Sequence, residues 1–114
     1  MNITTKKSKD WDLLVLDGKF VVKQLMNIRV VLNEIENREK SPKIAFDLSK
    51  TSYIDSSAIT AMLNLQKRLG EKNGNFVLIG PNEDITDILS IVGFDKLIPI
   101  FPTHQDFERS VTES

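Results

Sequence analysis

The 114-residue sequence contains no cysteine and a single histidine, His104. Without thiols there are no disulfide staples, thiolate metal sites or cysteine nucleophiles, a usage that fits a reducing compartment. With one histidine, serine–histidine catalysis would depend on a late residue in a polar stretch, where a lone imidazole is ordinarily a solvated side chain. Histidine-based metal sites fail for the same reason, so no metal is expected. Glycine is scarce, at five residues, and Asp17-Gly18-Lys19 lacks both the leading glycine and the spacing of a phosphate cradle. No cofactor is expected. The carboxylates are scattered, with no convergent titratable cluster to suggest an enzyme.

Long apolar runs are also missing. None approaches the roughly 20 residues that cross a bilayer, and residues 1–10 are too polar for a signal peptide. The expectation is a soluble cytoplasmic protein with no direct membrane insertion. Fifteen basic residues stand against sixteen acidic ones, a net charge of -1. That balance removes the bulk attraction on which sequence-independent nucleic-acid binding relies, so no nucleic-acid partner is expected. The length suits one domain over residues 1–114.

What is present is an alternation of short apolar runs and helical patterns. Leu13-Leu14-Val15-Leu16, closed by Asp17-Gly18, reads as a buried strand. Residues 2–8 pair with it as an edge strand through a turn near Lys9-Asp10. Val21, Leu25, Ile28, Leu32 and Ile35 then fall on one helical face, with Lys23, Gln24, Asn27 and Glu34 opposite. Ser41-Pro42 ends that helix. Ile44-Ala45-Phe46-Asp47-Leu48 is a second buried strand. After a short link, Asp55 opens a helix carrying Ala58, Met62, Leu65 and Leu69, stopped by residues 70–74.

Phe76-Val77-Leu78-Ile79 is a third buried strand, ended by Gly80-Pro81. Asn82 or Asp84 caps a third helix on Ile85, Ile88, Leu89 and Val92, and Gly93 ends it where a left-handed residue is wanted. Leu97-Ile98-Pro99-Ile100 makes a last short strand, placed by Pro99 at an edge or near its own end. Residues 103–111 close the chain as a helix on Phe107 and Val111. Phe94, Phe101 and Phe107 are core or an exposed patch for association, and core is the reading adopted. Strands alternating with helices of about 10–15 residues make an α/β fold with a largely parallel sheet of four to five strands and four helices.

The segment Ser52-Tyr53-Ile54-Asp55-Ser56-Ser57-Ala58 carries the chemistry. Asp55 suits an N-cap, accepting backbone N–H groups of the next turn. Ser56 and Ser57 then sit at the positive end of the helix dipole, where an added anion is favoured. A phosphoryl group there would bring roughly -1.5 to -2 charges and three acceptor oxygens. Asp-Ser-Ser at a helix start is equally ordinary capping chemistry.

The run from Phe46-Asp47-Leu48 through Asp55-Ser56-Ser57-Ala58 resembles the core of a STAS domain. The resemblance continues through Gly70-Glu71-Lys72-Asn73-Gly74, the strand at residues 76–79, and Ile91-Val92-Gly93-Phe94-Asp95-Lys96-Leu97, covering about residues 13–107. It implies a bacterial anti-sigma factor antagonist, a regulator of transcription by signal-dependent partner switching. The unphosphorylated domain would bind an anti-sigma factor, often a serine kinase. Phosphorylation of Ser56, directly after the motif aspartate, would release it, and a phosphatase would restore binding. Asp55 would orient the helix, Ser57 and Ala58 would line the contact surface, and Asn64 and Lys67 would extend it.

One departure stands out. Antagonists of this kind commonly follow a glycine near the first helix with an acidic residue, whereas Gly18 here precedes Lys19-Phe20-Val21-Val22. The helix simply begins there, or the partner differs, or the phosphorylation site is unused; Lys19 near a phosphoserine would instead stabilise the modified form. Two other readings share the pattern. A non-switching STAS adaptor subunit of a transport or signalling complex would use Ser56 as helix chemistry alone. A receiver-like domain would phosphorylate Asp55, but the metal-binding acidic pair it needs after the first strand is reduced to Asp17. Oligomeric state is left open.

Overall fold

The computed structural model describes residues 1–113. The chain starts as a hairpin, β1 (Asn2–Ser8) antiparallel to β2 (Trp11–Phe20), with Lys9 at φ 57 in the turn. A 3-10 turn at Val22–Gln24 leads into α1 (Leu25–Arg38). Then follow β3 (Lys43–Asp47), β4 (Thr51–Ile54), α2 (Ser56–Glu71), β5 (Asn75–Ile79), α3 (Glu83–Ile91), a 3-10 turn at Phe94–Lys96, β6 (Ile100–Phe101) and α4 (His104–Glu113). The sheet order is β1-β2-β3-β5-β6, and every pairing after the first hairpin is parallel. This is the expected α/β fold with four α-helices, and it has one strand more than expected.

That extra strand is β4, over residues expected to form only a short link. It pairs with the far end of β2, Gly18 to Thr51 and Phe20 to Ile54, while β3 pairs with the near end from Asp12 to Val15. β2 therefore runs through Asp17-Gly18 instead of closing there. The register shifts between Gly18 and Lys19, and Gly18 holds φ 120. A side chain there would be strained, so glycine lets one strand bend and serve two partners. Phe20 is consequently a core residue, fully buried, and the first helix starts later than a run from Gly18 would place it.

Alternation along the strands divides the core. Leu14, Leu16, Ile44, Phe46, Phe76 and Leu78 face the layer of α1, α2 and α3. Leu13, Ala45, Val77 and Ile79 face the other way and are covered by Phe107 of α4. Strands buried on both faces must be apolar at successive positions, which is why their runs are continuous. Phe107 meets Trp11 edge-on at 5.4 Å and Phe101 at 5.7 Å. Phe94 and Phe107 are core, while Phe101 is half-buried.

The ends of elements follow local chemistry. α2 includes Gly70 and stops at Lys72, where Asn73 turns left-handed at φ 56 and Gly74 N donates to Leu69 O at 2.7 Å. Asn82, not Asp84, caps α3 by accepting from Ile85 N at 2.8 Å. Gly93 ends that helix at φ 81, as expected. The last strand is shorter and later than residues 97–100, because Leu97 closes a 3-10 turn and leaves two residues extended. No helix among the described residues is long and apolar enough to cross a membrane.

Phe107 is 1% exposed and is the buried anchor of α4. Phe107→Ala is expected to destabilise the fold by about 3–5 kcal/mol, read as a lowered midpoint in urea unfolding followed by Trp11 fluorescence. A change below about 1 kcal/mol would mean that α4 is not part of the cooperative core.

Candidate functional site

β4 delivers the chain to Asp55, whose backbone is extended (φ -106, ψ 178) immediately before α2. Its carboxylate accepts two backbone N–H groups. Oδ1 takes Ala58 N at 2.9 Å, capping α2, and Oδ2 takes Val22 N at 3.0 Å, at the start of the turn before α1. The Ala58 N–H, followed by those of Val22 and Ser57, stabilises the charged form and holds Asp55 below its ordinary value of 3.8, against the opposing effect of burial. One side chain thus ties the beginnings of two helices together.

Between those helices lies a groove of about 310 Å³. Ser56, Ser57 and Asn64 line it from α2, and Leu25 and Arg29 line it from α1. It continues along the pair past Ala61 to Arg68. Arg68 is held by a two-pronged contact to the buried Glu36, both distances 3.1 Å, which joins α1 to α2 at the far end. Ser56 is exposed and Ser57 half-buried. Beside the groove, Val22, Met26 and Val30 recur at four-residue spacing and are 62%, 77% and 59% exposed. Exposed apolar side chains gathered at one place are a feature of surfaces that meet other proteins.

The sequence-predicted residues divide here. Ser56, Ser57 and Asn64 come together on the groove beside the Asp55 cap. Ala58 does not belong to a contact surface, since it is 0% exposed in the core one turn into α2. Lys67 is exposed but lines neither part of the groove. Lys19 is exposed in β2, in register with Tyr53 of β4, and forms no ion pair among the described residues. Arg29 and the apolar stripe of α1 were missed. Their signal was the four-residue spacing of Val22, Met26 and Val30 beside the core face.

A second polar cluster lies at the end of β3. Burial pushes Asp47 up, but the Ser49 hydroxyl at 2.6 Å, the Ser49 N–H at 2.9 Å and His104 Nε2 together hold it below 3.8. His104 is therefore not a free solvated imidazole; it ties the start of α4 to the buried end of β3. Ser49 and His104 both bond to the Asp47 carboxylate, each on its own oxygen.

Comparison with known proteins agrees with this architecture. The sequence matches the STAS domain family over residues 2–107. The chain belongs to the STAS domain family. A curated Thermotoga maritima protein, provisionally named an anti-sigma factor antagonist, is 33% identical over 61 residues, 54% of each chain. The match thus spans about half the length of that curated relative. A crystal structure from Thermotoga maritima, named likewise, superposes with a TM-score of 0.88 at 23% identity, covering 96% of this chain and 94% of that one. The Bacillus cell fate determinant SpoIIAA, solved in its phosphorylated form, superposes at 0.74 with 16% identity, covering 96% and 99%. The same fold is thus reached at sequence identities of 16% to 23%.

Asp55→Asn keeps one carbonyl oxygen but cannot accept both N–H groups. The variant is expected to melt at a lower temperature than wild type at pH 7. Because the folded-state pKa of Asp55 is lowered, its contribution is present above the unfolded value and is lost as pH falls through the folded one. The gap in Tm should therefore close below about pH 4, in thermal melts between pH 7 and pH 2.5. A constant gap would show that the carboxylate charge contributes nothing.

Proposed function

We propose that this STAS domain is an anti-sigma factor antagonist that binds its partner through the α1–α2 groove and releases it when Ser56 is phosphorylated. The observation that carries this is the placement of Ser56. It is exposed, it is the first residue of α2, and it lines a groove bordered by Val22, Met26 and Val30. A protein docking on that apolar border must cover Ser56 as well.

The physical consequence is a switch with two unequal sides. In the free domain a phosphoryl group on Ser56 is tolerated, because it sits at a helix N-terminus and across a groove from Arg29. In the complex the same group places about two negative charges under a docked surface, where desolvation without a matched cation is costly. Modification would thus weaken binding without unfolding the domain. The partner is read as an anti-sigma factor with serine-kinase activity, opposed by a phosphatase. The relatives named as anti-sigma factor antagonists and the phosphorylated SpoIIAA structure support this reading. On it the domain is a binding module and not an enzyme, and Asn64 and Arg29 contact the partner while Lys67 contributes at the periphery.

The test is calorimetric titration of wild type, Ser56→Ala and Ser56→Asp with each purified anti-sigma factor kinase of the source genome. Wild type and Ser56→Ala are expected to bind one of them comparably, and Ser56→Asp at least about tenfold more weakly. Equal binding by all three would refute the switch and favour a constitutive adaptor. Binding by none would refute the antagonist reading itself.

A further inference from the structure

The edge of the sheet carries a second site, at the opposite end of α2 from Ser56. β5 pairs with β6 only at Leu78 and Ile79. The hydrogen bonds of β5 fix which peptide groups face outward. Asn75 N donates to Pro42 O on the β3 side, whereas Leu78 N and Gly80 N donate to Pro99 O and Phe101 O on the β6 side. Even-numbered residues therefore turn their N–H and C=O towards β6, and Phe76 is the next one down.

Nothing on β6 can meet it. Residue 99, which would donate to the Phe76 C=O, is proline and has no N–H. Leu97, which would accept from the Phe76 N–H, has left the extended conformation at φ -108 and ψ -34. The Phe76 N–H and C=O thus have no protein partner among the described residues, although Phe76 is only 4% exposed. Buried backbone groups are almost always satisfied, by protein, water or ligand.

A cavity lies at this edge. It holds about 320 Å³ and is bounded by Phe76, Leu97 and the rings of Trp11, Phe101 and Phe107, a size within the range of small-molecule sites. Its polar side chains are uncharged, among them Gln66 and Asn75, and no ionisable residue among the described ones lines it. Uncharged walls disfavour an ion, and aromatic rings favour a flat partner. We propose that this cavity binds a neutral planar small molecule of the cyclic-amide or nucleobase class, whose adjacent donor and acceptor pair with the Phe76 C=O and N–H. The ligand's edge completes the ladder that Pro99 interrupts. This site is independent of the Ser56 groove and of the partner proposed for it.

The probe is 2-pyridone, which presents N–H and C=O side by side, with N-methyl-2-pyridone as the analogue lacking the donor. Two-dimensional amide NMR of the full chain follows the Phe76 amide and the indole N–H of Trp11, unique because the sequence has one tryptophan. Saturable shifts at both are expected with 2-pyridone, and affinity for the methylated analogue at least about tenfold lower, since it leaves the Phe76 C=O unpaired. Gly70→Phe fills the cavity wall where an added Cβ meets nothing within 4 Å and is expected to abolish the shifts in a protein whose remaining spectrum is native. Ser110→Trp, on the facing wall, is the second blocking variant. Absence of saturable shifts, equal affinity for the two probes, or undiminished binding in both natively folded variants would each overturn the proposal.

Discussion

The Asp55 carboxylate is the joint on which the functional face depends. Two oxygens on one side chain satisfy N–H groups from two different helix starts, 33 and 3 residues away in sequence. A helix start always leaves donors without intrahelical partners. Supplying one acceptor to each of two starts places α1 and α2 side by side with their first turns aligned. The groove between them, the exposure of Ser56 and the apolar stripe of α1 all follow from that alignment. At the far end the Glu36–Arg68 contact closes the same pair of helices, so the groove has a fixed width at both ends.

The second constraint is the division of β2. A ten-residue strand that bends at Gly18 accepts β3 along its first half and β4 along its second. Without β4 there would be no short, straight approach to Asp55, and the carboxylate would not reach Val22. Phe20, buried at the end of β2, receives the N–H of Asp55 on its carbonyl at 3.3 Å and packs edge-on against Phe46. Phe20 is therefore an anchor of the joint, and Lys19 beside it is simply the exposed residue in the strand alternation.

Much of this was legible in the residues. The continuous apolar runs at residues 13–16, 44–48 and 76–79, bounded by turn signals, read as buried strands, and the spacing of Ile28, Leu32 and Ile35 reads as a helix face. Asp55 was recognisable as a cap because it precedes a helical pattern with serines in its first turn. Its second bond was not, since a contact to Val22 depends on tertiary placement. β4 leaves little signal in the sequence, because Thr51-Ser52-Tyr53-Ile54 pairs on one side only and needs no apolar run. The motif puts Ala58 on the contact surface, but one helical turn past the cap the chain has already rotated inward to the core stripe of Met62 and Leu65. His104 was read from its polar neighbours, while its partner Asp47 lies 57 residues earlier.

The central claim is that the α1–α2 face, aligned by Asp55, is where a partner protein docks. Hydrogen–deuterium exchange of the domain alone and in complex with the anti-sigma factor proposed as its partner tests it most directly. The account predicts slowed exchange in the complex confined to residues 20–30 and 56–64, with α3 and α4 unchanged. Protection centred on α3 or α4, with those two segments exchanging as in the free domain, would contradict it.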